Sequence, residues 1–168
     1  KYSSDISILD ITLPPLQIEA LGNIDELQSY LGVVLADLSS KCEKLRQEIQ
    51  DLQRNLYLLQ SDLVVKRHND IGETKVKELE KRIDELNGKL PQITEFILPG
   101  GSRTGANLQY ARTIARRTER SMVKLSREQQ KLSAGNLEYI NRLSDYLFIL
   151  ARYANFLDGY EDVKSKQK

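Results

Sequence analysis

Hydrophobic positions along this chain recur at spacings of three and four, and nowhere sustain an alternation of two. From Asn23 onward, Ile24, Leu27, Leu31, Val34, Leu35 and Leu38 fall on one face of a helix. Asn23 reads as its N-cap, with Asp25 and Glu26 in the first turn, where acids complement the helix dipole. A second helix is predicted over 40–65, its stripe Cys42, Leu45, Ile49, Leu52, Leu56, Leu59 and Leu63 close to a heptad seam. After the polar connection KRHNDIG (66–72), Thr74 reads as the cap of a third helix carrying Val76, Leu79, Ile83 and Leu86, and NGKLP (87–91) ends it. The stretch TEFILPGGSRTG (94–105) interrupts the pattern. A fourth helix is predicted over 105–132. A fifth follows over 136–157, with Ile140, Leu143, Leu147, Leu150, Tyr153, Ala154 and Leu157 on its apolar face.

The expected fold is therefore all-α: an up-and-down bundle of about five helices in a single domain spanning 1–168. Residues 1–22, with Pro14 and Pro15 in TLPPLQ, read as an irregular segment because a Pro-Pro pair resists helix. Residues 159–168 read as a frayed tail. Composition narrows the function classes. A net charge of +1 gives no general pull toward nucleic acid or a membrane surface, and neither is expected as a partner. No apolar run approaches the roughly 20 residues of a membrane span. A single cysteine, Cys42, excludes an internal disulfide framework and suits a reducing compartment, so the cytoplasm is expected.

Candidate chemistry concentrates in two places. In ARTIARRTER (111–120), Arg112, Arg116 and Arg120 stand four apart, where like charges on a helix repel. Arg112, Arg116 and Glu119 border a narrow stripe formed by Leu108, Ala111, Ala115, Met122 and Leu125. Guanidinium groups beside a core need anionic partners. Glu119 can answer one, Asp25 is a second internal candidate, and ligand phosphates suit the forked donors of arginine. A solvated face carrying one ion pair accounts for the same spacing. In NRLSDYLF (141–148), Asn141 and Asp145 are four apart beside the apolar stripe, as interhelical hydrogen-bonding groups or as ligand contacts. Catalytic machinery of the familiar kinds is missing. His68 is the only histidine and lies in a polar loop, so a zinc site or Ser-His triad lacks parts. Asp25, Glu26, Asp84 and Glu85 do not form a di-iron pattern, and LPGGS is not a Walker phosphate loop. An enzyme built on this chain works by positioning and electrostatics.

Four segments in register resemble the PduO-type ATP:cob(I)alamin adenosyltransferases: IEALGNIDELQSYLG (18–32), FILPGGS (96–102), ARTIARRTER (111–120) and NRLSDYLFILAR (141–152). The resemblance implies a five-helix bundle that assembles as a homotrimer with active sites between subunits. It implies transfer of the 5′-deoxyadenosyl group of ATP to the cobalt of cob(I)alamin, with Mg2+ assisting and triphosphate leaving. The reduced corrinoid is itself the nucleophile, in keeping with the missing triads. By the same resemblance Arg116 binds the ATP phosphates, Glu119 lies in the same site, and Asn141 and Asp145 stand near the nucleotide and its metal. Arg112 pairs with Asp25 in support of a subunit contact. Phe96 covers the lower face of the corrin and keeps the axial base away, easing reduction of cobalt. A cobalamin-dependent enzyme is the implied acceptor of the product.

Two departures bear on the nucleotide side. The family's glycine-rich TKTGDxGxT segment is matched poorly by KYSSDIS: either it lies upstream of Lys1, the expectation that the missing initiator Met favours, or this chain has lost it. Gln17 and Leu21 stand where the family has arginine and tyrosine. These departures support an alternative, an inactive relative that binds ATP or cobalamin for storage or delivery. A helical adaptor built on the seam of the second helix is a third reading, and it leaves the Arg112/Arg116 and Asn141/Asp145 faces without a purpose.

Overall fold

The computed structural model describes residues 13–65 and 67–166 and contains five α-helices: α1 Pro15–Ala36, α2 Arg46–Val64, α3 Glu73–Asn87, α4 Arg103–Glu128 and α5 Ala134–Asp158. A 3-10 helix, Ser40–Leu45, leads into α2. The described residues include one isolated antiparallel bridge and no strands. α4 packs between α1 and α5; α2 lies against α1 and α3 against α5. The predicted stripes form the core, with Ile24, Leu27, Leu31, Ile49, Leu56, Leu59, Leu63, Leu108, Ile140, Leu143 and Leu147 fully buried. Each such leucine or isoleucine contributes about 1.5–3 kcal/mol of burial. Ala111 and Ala115 of α4, also fully buried, are small enough to let a neighbouring helix approach closely. No helix among the described residues is long and apolar enough to cross a membrane.

Several sequence expectations are corrected. The first helix begins at Pro15, not Asn23, so 15–22 is helical rather than irregular. Pro15 occupies the first helical turn, where its fixed φ and missing N–H cost nothing. Asn23 is accordingly a buried mid-helix residue, its carbonyl accepting from Thr118 Oγ1 at 3.1 Å, and Asp25 and Glu26 lie well beyond the first turn. The second predicted helix divides at Arg46 into a 3-10 turn and α2, and the third is capped from Gly72 rather than Thr74. Finally, 159–166 is docked, not frayed. Gly159 (φ 79°) ends α5 in the left-handed conformation, and Tyr160 N–H donates to Asn155 O at 2.8 Å, which turns the chain back.

Polar ties cross the bundle where helices diverge. Glu48 of α2 accepts both forks of Arg82 of α3 at 2.9 and 2.8 Å and the hydroxyl of buried Tyr146 on α5. Burial, then the Glu48 carboxylate, pushes the Tyr146 hydroxyl well above its ordinary value, so it serves as a neutral donor. At the opposite end of α2, Asp62 accepts the backbone N–H groups of Asp70 and Ile71 at 2.8 and 2.9 Å, and Asn136 donates to it at 2.9 Å.

Candidate active site

The site is built where α4 and α5 face the loop 91–102. Ser102 caps α4, its hydroxyl accepting from Gly105 N–H at 3.1 Å. The same loop is stapled to α5 by Asn155, which accepts from Ser102 N–H at 2.9 Å and donates to Gly100 O at 2.8 Å. Asn155 lies so close to Gly101 and Gly105 that a Cβ on either would collide with its amide. Gly101 and Gly105 therefore make room for a staple, not for a phosphate loop. Fixed at this end, the loop presents Phe96 with 87% of its surface exposed, a costly display for an aromatic ring with no partner to cover it.

Phe96 forms one wall of a cavity of about 590 Å³ shared with Ile93, Pro99, Gln109, Arg112 and Phe148. Ile93 and Phe148 also line an adjoining cavity of about 560 Å³ that contains Asp145. Arg112 is half-buried, and its Nε donates to Gln109 Oε1 at 2.9 Å. One turn further along α4, Arg116 Nη1 meets Glu119 Oε2 at 2.5 Å, and Asn141 of α5 donates to Glu119 Oε1 at 2.7 Å. Glu119 is thus held from both helices and is only 16% exposed, while Arg116 is about half exposed. Among the described residues no other side chain engages the remaining Arg116 donors. The network resolves the sequence alternative partly in favour of interhelical bonding for Asn141, and it leaves a guanidinium oriented with free donors. Asp145 is exposed and bonded through one oxygen to Arg142 at 2.9 Å.

Asp25 and Arg112 do not pair within the chain, which corrects Asp25 as an internal partner of the arginines. Asp25 lines a shallow pocket between α1 and α2 with Gln28, Gln53, Arg54 and Tyr57. Within the chain Glu119 answers Arg116 of the column, and Glu26 of α1 binds Arg117 beside it, whose Nε also donates to Asn23 Oδ1 at 3.3 Å. Gln17, standing where the resembling family has arginine, is buried and turned inward, donating to Leu63 O and to Gln130 Oε1 at 3.0 Å. The KYSSDIS segment lies outside the described residues.

Sequence reasoning missed Asn155 and Arg152. Arg152 is 4% exposed on the apolar face of α5 and donates to Asp162 Oδ2 at 2.7 Å and Pro91 O at 2.8 Å. Its signal was a charged residue inside a run of core positions, LFILARYA.

The donor set suits magnesium only in part. Glu119 and Asp145 offer hard oxygen, but the one group of three metal-capable side chains within reach of one another among the described residues is Asp62, His68 and Asp70, away from this site. Magnesium commonly binds through one or two carboxylates plus substrate phosphates, and the residues fit an ion brought by a polyphosphate rather than a dedicated cage.

Comparison with known proteins agrees with this geometry. The sequence model of the family described as cobalamin adenosyltransferase matches residues 15–154. A corrinoid adenosyltransferase of Bacillus subtilis is 40% identical over 154 residues, covering 89% of this chain and 79% of its own length. A cobalamin adenosyltransferase of Cupriavidus metallidurans is 37% identical, covering 88% of this chain and 79% of its own. Among solved structures, a variant PduO-type ATP:corrinoid adenosyltransferase from Lactobacillus reuteri, complexed with cobalamin and ATP, superposes with a TM-score of 0.85 at 35% identity, covering 90% of this chain and 84% of that one.

Proposed function

The chain belongs to the cobalamin adenosyltransferase family and is a corrinoid adenosyltransferase with ATP and cobalamin as substrates; from that premise we propose how its residues divide the work. The reaction moves the 5′-deoxyadenosyl group of ATP to the cobalt of reduced cobalamin and releases triphosphate. Reduced cobalt is the nucleophile, so the protein supplies orientation and charge.

Arg116 binds the phosphates of ATP and stabilises the charge that accumulates on the departing triphosphate. The observation that carries this role is the network Arg116–Glu119–Asn141, which fixes the guanidinium from two helices and leaves donors open. Glu119 acts by holding Arg116, and Asn141 by holding Glu119. Asp145 faces the nucleotide and the Mg2+ that accompanies it; when bound, that ion supplies charge neutralisation on the phosphates. Phe96 lies against the lower face of the corrin. An exposed aromatic ring at a loop tip, beside an apolar cavity, suits a flat macrocycle and excludes an axial base from that side. The chain assembles as a homotrimer in which Asp25 of one subunit reaches Arg112 of the next, giving each the ion-pair partner it lacks among the described residues of one chain. A cobalamin-dependent enzyme receives the product. The cytoplasm is the proposed compartment, where Cys42 stays reduced.

The test is anaerobic incubation of the natural full-length protein with cob(I)alamin, ATP and Mg2+. Adenosylcobalamin and triphosphate are expected in equal amounts. Binding of both substrates without either product would overturn the reading and favour a storage or delivery protein.

A further inference from the structure

Arg152 is a charge in a place built for leucine. Replacing a buried ion pair by well-packed apolar residues is often neutral or stabilising, so packing alone gives little reason for a guanidinium here. Its two bonds do something apolar residues cannot. One reaches Pro91 O, at the start of the loop that carries Phe96, and the other reaches Asp162, on the segment that follows α5. Those two segments then bind each other. Leu98 N–H donates to Val163 O at 2.7 Å and Ser165 N–H to Phe96 O at 2.8 Å, with Ile97 and Lys164 paired in an antiparallel bridge. Lys164 Nζ also meets Glu95 at 2.8 Å. The carbonyl of Phe96 is thus held by a segment that Arg152 anchors.

We propose that Arg152 is a positioning residue for the corrinoid half of the reaction, clamping Asp162 and Pro91 so that segment 159–166 docks beside Phe96 and sets the height of its ring. The proposal rests on the reading of Phe96 given above. Arg152 touches no reacting atom in this account; it acts through the docked segment.

The test uses the full protein with Asp162→Ala, Arg152→Lys and Phe96→Ala in parallel. Asp162→Ala leaves the Arg152 guanidinium buried without its carboxylate, a costly change, so circular dichroism first establishes that each variant retains the bundle, and Arg152→Lys, which keeps the charge, is read beside it. KM is measured separately for the corrinoid and for ATP, and the absorption and paramagnetic resonance spectra of bound cob(II)alamin report how much of it lacks an axial base. Asp162→Ala is expected to raise the corrinoid KM about tenfold to a hundredfold, the scale of a small misplacement remote from the chemistry. Its KM for ATP stays unchanged and its base-free signal falls, with Arg152→Lys intermediate. Wild-type corrinoid KM and spectra in both clamp variants, while Phe96→Ala disturbs them, would overturn the clamp and leave the reading of Phe96 standing. Equal losses toward ATP and the corrinoid would reduce Arg152 to a structural role and overturn the proposal. A Phe96→Ala protein with unaltered spectra would overturn the reading of Phe96 and the clamp with it.

Discussion

Arg116 and Arg117 are neighbours in sequence with different employment. Arg117 is consumed within the chain by Glu26 and Asn23, whereas Arg116 is steered by one carboxylate and left with donors to spare. Arg117→Ala should therefore cost up to about 1 kcal/mol in chemical denaturation, the worth of a half-exposed ion pair, with KM for ATP unchanged. Asn141→Ala should lower kcat/KM for ATP about tenfold or more, because it frees Glu119 to rotate away from Arg116, and should cost about 1–3 kcal/mol in unfolding for the lost bond to a nearly buried carboxylate. Spacing alone could not separate these arginines, since a column of like charges reads equally as a solvated face. The ordered segments around it distinguished Arg116, Glu119, Asn141, Asp145 and Phe96. Arg152 and Asn155 stayed hidden because their partners, Pro91, Asp162 and the Gly100–Ser102 backbone, lie 53 to 61 residues away or in a turn whose path no periodicity encodes. The Arg152–Asp162 bond is local in sequence but depends on the reversal at Gly159.

At the scale of the elements, the helical stripes were legible because every core face follows the 3.6-residue period. The ends were not. A Pro-Pro pair signals the end of regular structure and, equally, the first turn of a helix; only the packing of Gln17 onto Leu63 and Gln130 decides for helix. The first turn of α4, at Gly105, is testable in the same terms. Gly105→Ala drives a methyl into Asn155 and should destabilise the protein by about 1–3 kcal/mol in thermal or urea unfolding. The end of α5 carries a pH dependence. Burial works against ionisation of Asp158, but hydrogen bonds from Ser39, Ser102 and Cys42 and the charge of Lys41 together hold its carboxyl below the ordinary 3.8. A carboxylate with a depressed folded value adds stability that is fully present above its unfolded value and lost as pH falls through the folded one. The stability gap between wild type and Asp158→Asn should therefore be constant at neutral pH and close only below about pH 4.

At the scale of the whole molecule, Asp25 lines a pocket between α1 and α2 whereas Arg112 lines the cavity beside Phe96, and the proposed trimer is what would bring the two together. Analytical ultracentrifugation should find a trimer for the wild type and a larger monomer fraction for Arg112→Ala; a monomeric, fully active wild type would remove the subunit pair from the account. The proposed division of the site, with phosphates on α4 and α5 and the corrin on the loop 91–102, rests most heavily on one guanidinium, that of Arg116. Its most direct test is adenosylcobalamin formation by wild type and Arg116→Ala at varied ATP, under identical anaerobic conditions. The account predicts a fall in kcat/KM for ATP of about a hundredfold or more, the scale of losing a donor to developing charge, with the fold intact by circular dichroism. An Arg116→Ala enzyme with wild-type kcat/KM for ATP would contradict it.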